Sequence, residues 1–240
     1  MTSDAVDAVN WSTLPNPTSH PCDDPERVAH ALRLLTVSTT ANETGDAASL
    51  LAGCGFVCAH AAMVFPAAYA ATPILLDLIE HGQRPRIKDA ALGLLSNALD
   101  YFPTAGHNRV DTPYDIQVPL CCAIARHIRG RRAALLARGI HGKQLLAEAD
   151  LHWWLTIEEA ELQADGSLTA IAALEGTPFQ TPVEAELHVP PPFEQPLQTL
   201  WMDALTADVS GTACIEFRQT PFKHAPGSSF YPAECGRREH

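Results

Sequence analysis

The chain has 240 residues, 46% of them hydrophobic, which is enough for a full core in one large or two small domains. Its 28 acidic and 16 basic side chains give a net charge of −12, and residues 151–240 alone carry 13 acidic against 4 basic side chains. This charge makes direct nucleic-acid binding unlikely, because phosphate contacts need Lys and Arg. It favours a basic protein partner, although acidic side chains that only keep the protein in solution are the alternative.

The N-terminus, MTSDAVDAVNWS, has neither the basic start nor the apolar run of a signal peptide. No apolar run reaches the length of about 18 residues that a membrane span requires. The seven cysteines are an odd number and include the adjacent pair Cys121 and Cys122, which is unlike a secreted disulfide framework. We therefore expect a soluble cytoplasmic protein with reduced thiols.

Residues 1–23 lack periodicity and are expected to form an N-terminal arm that packs through Trp11 and Leu14. A first helix should begin at Asp24-Pro25-Glu26, where Asp caps, Pro suits the first position and Glu favours the positive helix end. Its buried stripe would be Val28, Leu32 and Leu35. The following segment, STTANETGD (38–46), is predicted to be a loop.

Three helical patterns follow between Ala48 and Phe102. The first covers 48–64, with apolar side chains from Leu51 to Met63 at three- and four-residue spacing. The second begins at Pro66 and contains Pro73, which predicts a kink or break near residues 71–72. Gly82 is expected to form a left-handed cap. The third starts near Pro85 and buries four apolar side chains, Ile87, Leu92, Leu95 and Leu99.

The run FVCAHAAMVFPAAYAATPILLDLIEHGQRPRIKDAALGLLSNAL resembles the HEAT-like helical proteins of bacteria. The residues that match the core of their second helix are Ala71, Pro73, Ile74, Leu75, Leu76, Leu78 and Ile79. The resemblance covers about a quarter of the chain. It implies stacked helix pairs of roughly 40–47 residues, here 24–64, 66–102 and 117–149, with residues 105–116 as an insertion. Proteins of this kind often act as immunity proteins beside secreted toxins.

The third helix pair carries the one basic cluster of the sequence: Arg126, Arg129, Arg131, Arg132, Arg138 and Lys143. Such a cluster could bind an acidic ligand or nucleic acid. Basic residues at this density are more often a solvated helix face or the contact surface of an acidic neighbouring domain.

After Asp150 the pattern changes from helical to strand periodicity. Trp153, Leu155 and Ile157 share one face with Leu151, and a phase slip predicts a bulge near 158–159. Further strands are expected in SLTAIAAL, VEAELHV and TACIEFR, with a hairpin turn at 164–166, a short helix at 197–206 and an irregular tail after Pro221. The predicted fold is α+β: an arm (1–23), a HEAT-like helical domain (24–150) and a small, mainly antiparallel β region (151–240).

The outward sides of these strands collect acidic residues. If the strands are neighbours, they form an acidic sheet face that a basic partner could cover, with a tryptophan as anchor. The predicted partner-binding residues are Trp154, Glu158, Glu161, Glu184, Glu186 and Glu216.

Two possible metal sites are alternatives to this acidic binding face. Glu184, Glu186 and His188 alternate on one strand and could face one ion, with His152 nearby. Cys54 and Cys58 share a helix face near His60, but small cysteines in a helix stack are usually core residues. The chain has no recognisable nucleophile motif. We expect no catalytic residue, no metal and no cofactor.

The leading hypothesis from the sequence is an immunity protein, not an enzyme, that occludes a basic toxin, possibly a nuclease. Two alternatives stay open: a metal- or histidine-dependent enzyme with its site on the β region, and a helical scaffold that binds a peptide.

Overall fold

The structure, a computed structural model, describes residues 2–18, 23–53, 55–190, 197–218 and 226–240. Helices and a β-sheet follow one another in the expected order. The helices are α1 Thr2–Asp7, α2 Pro25–Val37, α3 Ala41–Gly53, α4 Ala67–His81, α5 Pro85–Asp100, α6 Leu120–Arg129, α7 Arg132–Leu136, α8 Ile140–Asp150 and α9 Ala233–Arg237. None of the helices in the described ranges has the length and apolar character needed to cross a bilayer.

The strands are mostly short before residue 150 and longer after it. They are β1 Val57–Cys58, β2 Met63–Val64, β3 Phe102–Pro103, β4 Arg109–Val110, β5 Val118–Pro119, β6 Trp154–Leu162, β7 Leu168–Glu175, β8 Val183–His188, β9 Gln198–Met202, β10 Ala204–Ala207, β11 Thr212–Phe217 and β12 Ser229–Pro232.

The helical part is a row of three helix pairs, α2 with α3, α4 with α5, and α6 with α8. The first members pack side by side in the order α2, α4, α6, and the second members in the order α3, α5, α8. One continuous apolar core runs through the row, with Leu32, Leu75 and Leu95 fully buried. The inner helices α4 and α5 each have a neighbouring helix on both sides, so apolar residues on more than one of their faces are buried.

The predicted start of α2 is confirmed. The Asp24 Oδ1 atom accepts a hydrogen bond of 2.9 Å from the Glu26 N–H, and Pro25 opens the helix. Val28, Leu32 and Leu35 are fully buried, as their spacing predicted. The expected arm contains α1 and a 3₁₀ turn at Trp11–Thr13, and the Trp11 Nε1 group donates 2.8 Å to the Val6 carbonyl.

The next helix, Ala41–Gly53, starts seven residues and ends eleven residues earlier than the predicted helix 48–64. The predicted loop at 38–46 contains the start of α3, whereas the predicted helix beyond Gly53 is the β1–β2 hairpin. The reason is a capping box. The Thr40 hydroxyl accepts from the Glu43 N–H at 3.2 Å, and the Glu43 carboxylate accepts from the Thr40 N–H at 3.0 Å. Bonds from the Thr39 and Thr40 backbones lower the pKa of Glu43 to about 2.

Replacing the cap should destabilise this end of the helix row. Thr40→Ala removes an acceptor for the first turn of α3, and we expect the free energy of unfolding to fall by about 1 kcal/mol. Urea unfolding followed by circular dichroism measures the change. An unchanged midpoint would contradict the capping assignment.

Two details of the α4–α5 pair differ from expectation. The α4 helix continues through Pro73, so the predicted break is absent, and the Thr72 hydroxyl donates 2.7 Å to the Ala68 carbonyl. Gly82 has φ −59°, so the predicted left-handed cap is wrong. Glycine is required there for a different reason: a Cβ atom would overlap the Leu78 carbonyl oxygen. The predicted start of α5 at Pro85 is confirmed.

The β region is a curled sheet of seven antiparallel strands in the order β10-β11-β7-β6-β12-β8-β9. β9 and β10 lie at opposite edges of the sheet, yet only Asp203 separates them in the chain. The sheet therefore closes on itself like a barrel, with β9 in contact with β11. The closed sheet holds a second core, which includes Leu155, Ile157, Phe217 and Phe230. The predicted bulge is confirmed, since the β6–β7 register shifts between Ile157 and Glu159.

Two expectations for the β region are wrong. Residues 198–202 and 204–207 are strands rather than a short helix, because Leu200 and Met202 point into the barrel core. The tail is not irregular after residue 228: β12 pairs with both β6 and β8 and leads directly into α9. Residues 191–196 and 219–225 lie outside the described ranges.

Candidate metal centre

Three segments that are distant in sequence meet where the helix row joins the β region. α6 begins directly after Pro119 and carries Cys121 and Cys122 in its first turn. His152 lies in the turn between α8 and β6. Cys235 lies on α9, which begins after Pro232 at the end of β12. The sheet pairing of β12 therefore determines where this last cysteine lies.

The four side chains form one compact group. One sulfur or nitrogen atom from each of Cys121, Cys122, His152 and Cys235 lies within 4.8 Å of every other. Within the described residues, no other group of three or more His, Cys, Asp or Glu side chains was found with its potential ligand atoms so close. The His152 Nδ1 atom lies 3.3 Å from the Cys235 sulfur. The three cysteines are at most 3% exposed, whereas His152 is half-buried.

The thiols influence one another because they are buried together. Hydrogen bonds from Cys122 and Cys235 hold the pKa of Cys121 well below its usual range, with His152 adding to the effect. Burial and the neighbouring thiols raise the pKa of Cys122. The pKa of Cys235 is raised chiefly by its hydrogen bond with Cys121.

Arg129 fixes the backbone that carries the histidine. Its Nη1 group donates to the carbonyls of Ala149, at 2.7 Å, and His152, at 3.0 Å. The first carbonyl lies at the end of α8, where it also accepts a bond of 3.2 Å from the His152 N–H. The side chain is only 7% exposed, and its Nε atom lies 3.9 Å from Glu175 at the end of β7. Arg129 thus links the helix row, the histidine turn and the barrel.

Two cavities reach the group from the side of His152. One, of about 390 Å³, is lined by residues of α5 and α8 together with His152, Glu234 and Arg238. The other, of about 370 Å³, is lined by Phe102, Cys235 and the same three residues. The histidine side of the group is therefore open to small solutes, while the cysteines behind it are enclosed.

A second buried network lies on the outer side of β8. The Arg109 guanidinium donates to both carboxylate oxygens of Glu186, at 2.5 and 2.6 Å. The His188 Nε2 atom lies 2.6 Å from Glu186, and its Nδ1 atom lies 3.4 Å from Asp115. The Tyr231 hydroxyl donates to Asp115 at 3.2 Å. Both nitrogens of this imidazole are engaged, so it links loop 111–117 to the sheet.

Stability should depend on the charge of His188. Burial alone would lower the pKa of His188, but bonds to Asp115 and Glu186 outweigh burial and raise it above its usual 6.5. The protonated histidine therefore contributes stability that is complete below pH 6.5 and is lost as the pH rises through the raised value. Melting temperatures from pH 6 to 9 should fall more steeply for the unaltered protein than for His188→Gln. Parallel slopes would contradict this assignment.

The predicted acidic face is only half formed. Glu158, Glu161 and Glu216 are exposed on the outer side of the barrel, and Glu161 and Glu216 flank Thr169 on neighbouring strands. The other three residues contact other parts of the protein: Glu186 and Trp154 are buried, and Glu184 forms an ion pair near the surface. The Glu186 side chain is only 6% exposed and pairs with Arg109.

Two further members of the predicted face also differ from expectation. Glu184 pairs with Arg237 on α9. Trp154 is 6% exposed and packs against Tyr114, Tyr231 and Arg126. These side chains point outward from the sheet, as alternation predicted, but α9, β4 and loop 111–117 cover that side.

The two metal sites considered from the sequence are not the ones that the fold assembles. Of the site predicted on β8, Glu186 and His188 are in contact with each other. Glu184 instead binds Arg237, and His152 contacts Cys235. Cys54 lies outside the described residues, and Cys58 lies on β1 rather than on a helix.

The basic cluster is largely paired within the chain. Arg131 binds Asp77 and Glu80, Arg132 binds Asp150, and Arg138 binds Asp89. These three arginines pair with acidic residues of neighbouring helices instead of forming a solvated face. Arg126 and Arg129 lie 3.8 and 3.9 Å from Glu175 of the β region, as the alternative of contact with an acidic neighbour predicted.

Sequence reasoning missed the cysteine–histidine group because its parts lie far apart in the chain; His152 and Cys235 are 83 residues apart. The adjacent cysteines were the one local signal, and they were interpreted only as evidence against disulfides. Cys235 lies in the tail that was expected to be irregular, so nothing in the pattern brought it near α6.

Comparisons with known proteins assign no family. No family model matches the chain, and no curated protein matches it. A solved structure, the flavohemoglobin from Malassezia yamatoensis with bound FAD and heme, aligns with 96% of this chain at 10% identity. The TM-score is 0.22, and the chain spans 63% of the flavohemoglobin.

The predicted immunity function is wrong. It rested on the resemblance to HEAT-like proteins and on an exposed acidic face. Of the six residues assigned to that face, Trp154 and Glu186 are buried and Glu184 is paired with Arg237. No family model and no curated protein that would support it matches the chain.

Proposed function

We propose that this protein is a zinc-binding protein whose metal is held by Cys121, Cys122, His152 and Cys235. The observation that carries the proposal is the convergence of four potential ligand atoms, from three distant segments, within 4.8 Å of one another. Buried cysteines scattered through a core have no reason to meet a histidine nitrogen at this spacing. A shared cation supplies that reason.

The chemistry of the donors favours zinc. Three thiolates and one imidazole form the Cys₃His set of structural zinc sites, and thiolates disfavour Mg²⁺ and Ca²⁺, which prefer oxygen ligands. Tetrahedral zinc with Zn–S bonds of about 2.3 Å holds sulfur atoms roughly 3.8 Å apart. The sulfur atoms of the three cysteines lie within 4.8 Å of one another, so their separations need to change by about 1 Å or less to reach that geometry. Four protein ligands complete the coordination, which supports a structural rather than a catalytic metal.

The metal would join the two halves of the protein. Its ligands come from α6 in the helix row, from the turn that leads into β6, and from α9 after the last strand. A small apolar cluster around it already mixes side chains of both halves, including Val118, Trp154 and Tyr231. We further propose that the helix row is a HEAT-like stack, as the resemblance of residues 56–99 implies. The ordered packing of α2, α4 and α6 beside α3, α5 and α8 supports this.

Metal analysis tests the proposal directly. Protein purified under reducing conditions without added metal should contain close to one zinc per chain. Cobalt substitution should produce the intense near-ultraviolet bands of cobalt–thiolate bonds. Cys122→Ser should lose most of the metal, whereas the matched variant Cys214→Ser should keep it, because Cys214 lies on β11, outside the group.

Two results would overturn the zinc assignment. One is a reduced protein that neither carries nor takes up zinc or cobalt. The other is equal metal content in Cys122→Ser and Cys214→Ser. Circular dichroism of each variant separates loss of a ligand from loss of the fold.

A further inference from the structure

We propose that the three thiols of this centre also bind a three-coordinate, thiophilic metalloid of the arsenite class, without help from His152. This inference rests on the same cluster as the proposed zinc site, but it assigns a different role to the histidine. Tetrahedral zinc in this site would use all four ligands, whereas trivalent arsenic forms three bonds and keeps a lone pair in the fourth direction.

The first support is that the four ligands are not equivalent. Cys121, Cys122 and Cys235 are 1%, 2% and 3% exposed, and each sulfur lies within 4.8 Å of the other two. Two of them are on the first turn of α6 and the third is on α9. They form a triangle of sulfur atoms enclosed by protein. His152 is half-buried and closes this triangle on the solvent side.

The second support is access. The two cavities of about 390 and 370 Å³ share His152, Glu234 and Arg238 in their walls, and the second also touches Cys235. Each is far larger than the roughly 30 Å³ that one water occupies in the liquid. A small neutral solute such as As(OH)₃ can therefore reach Cys235 from the histidine side, and Cys121 and Cys122 lie deeper, outside the lining of both cavities. The same space accommodates the lone pair of bound arsenic if the imidazole turns outward.

The third support is charge. The reaction is As(OH)₃ + 3 RSH → As(SR)₃ + 3 H₂O, in which three As–O and three S–H bonds break and three As–S bonds form. The thiol protons leave in the water molecules, and no atom is oxidised or reduced. The product is uncharged, whereas Zn²⁺ with three thiolates and a neutral imidazole carries one negative charge. An uncharged centre avoids the cost of burying a net charge.

The test compares sodium arsenite with zinc on the same variants of the full chain. Metal-free, reduced protein is titrated with each probe, and binding is followed by the ultraviolet absorbance of the sulfur–arsenic bonds and by equilibrium dialysis. His152→Ala should weaken zinc binding by roughly 100-fold while changing arsenite affinity by less than about tenfold, because arsenite uses only the thiols. His152→Asn serves as a second variant of similar size.

The cysteine variants should affect both probes. Cys121→Ser, Cys122→Ser and Cys235→Ser should each weaken arsenite binding by at least about 100-fold, since the lost bond forms within an already assembled chelate. Cys214→Ser is the matched control and should bind arsenite as the unaltered chain does. Circular dichroism identifies any variant that fails to fold, and the two His152 variants then decide the question with all thiols intact.

The outcomes are distinguishable. Zinc binding without arsenite binding would overturn this inference and leave the zinc proposal standing. Arsenite binding without zinc binding would overturn the zinc proposal and support the thiol triangle. An equal loss of both probes in the two His152 variants would show that the histidine is needed for arsenite too, and would also overturn the inference.

Discussion

Removing zinc is expected to lower the free energy of unfolding by about 4 kcal/mol, relative to protein kept in free zinc at about 1,000 times its dissociation constant. The unfolded chain holds its ligands far apart, so it gains little from the metal. For a chain of this size, the loss corresponds to a melting temperature lower by roughly 8–16 °C. Differential scanning calorimetry with and without a strong chelator measures this shift.

The cysteine variants show whether the effect belongs to this centre. In Cys235→Ser, the chelator should change the melting temperature little, because the site no longer retains zinc. Cys214→Ser should behave like the unaltered protein. If the chelator produces the same shift in Cys235→Ser, the stabilising metal is bound somewhere else. If it produces no shift in the unaltered protein, the metal does not join the two halves.

Arg109→Met should destabilise the protein by about 3–5 kcal/mol, because it leaves the Glu186 carboxylate buried without its main counter-charge. The Glu186 side chain is 6% exposed and that of Arg109 is 18% exposed, so water cannot replace the lost partner. Chemical unfolding of Arg109→Met and of the unaltered protein, at one pH below 6.5, gives the difference while His188 stays protonated.

The same strand offers a matched comparison. Glu184 pairs with Arg237, whose side chain is 60% exposed. Arg237→Met should therefore cost only about 0–1 kcal/mol, as exposed ion pairs usually do. Equal effects of Arg109→Met and Arg237→Met would contradict the importance assigned to burial. The double variant Arg109→Met/Glu186→Gln should be more stable than Arg109→Met, because it removes the charge that the single variant leaves unpaired.

Local signals in the sequence identified those elements whose causes are local. Asp24 and Pro25 begin α2, Pro85 begins α5, and the phase slip at 158–159 is a bulge, because caps, prolines and alternation act within a few residues. Thr40 and Glu43 form an equally local capping box, but the apolar spacing from Leu51 to Met63 was given more weight. Leu51 belongs to α3 itself, whereas Phe56 to Met63 lie in the turn and hairpin that follow α3.

Tertiary structure decided what the outward side of the sheet does. Alternation alone indicated that Glu184, Glu186 and His188 point away from the barrel core, but it could not show what lies against them. α9, β4 and loop 111–117 cover this side, so Glu186 and His188 belong to a buried ion-pair network and do not face solvent. The expected function failed at this step, because exposure depends on contacts between segments far apart in the chain.

The sequence by itself determined the order of the secondary-structure elements, helices first and antiparallel strands afterwards. It could do so because the period of the hydrophobic residues differs between a helix and a strand that each face a core. It also supplied the cysteines and the histidine. Only the tertiary structure placed them together: strand pairing puts β12 between β6 and β8, and α9, which follows β12, brings Cys235 to the first turn of α6. A site built from three segments has no period and no fixed spacing, so its geometry exists only in the folded chain.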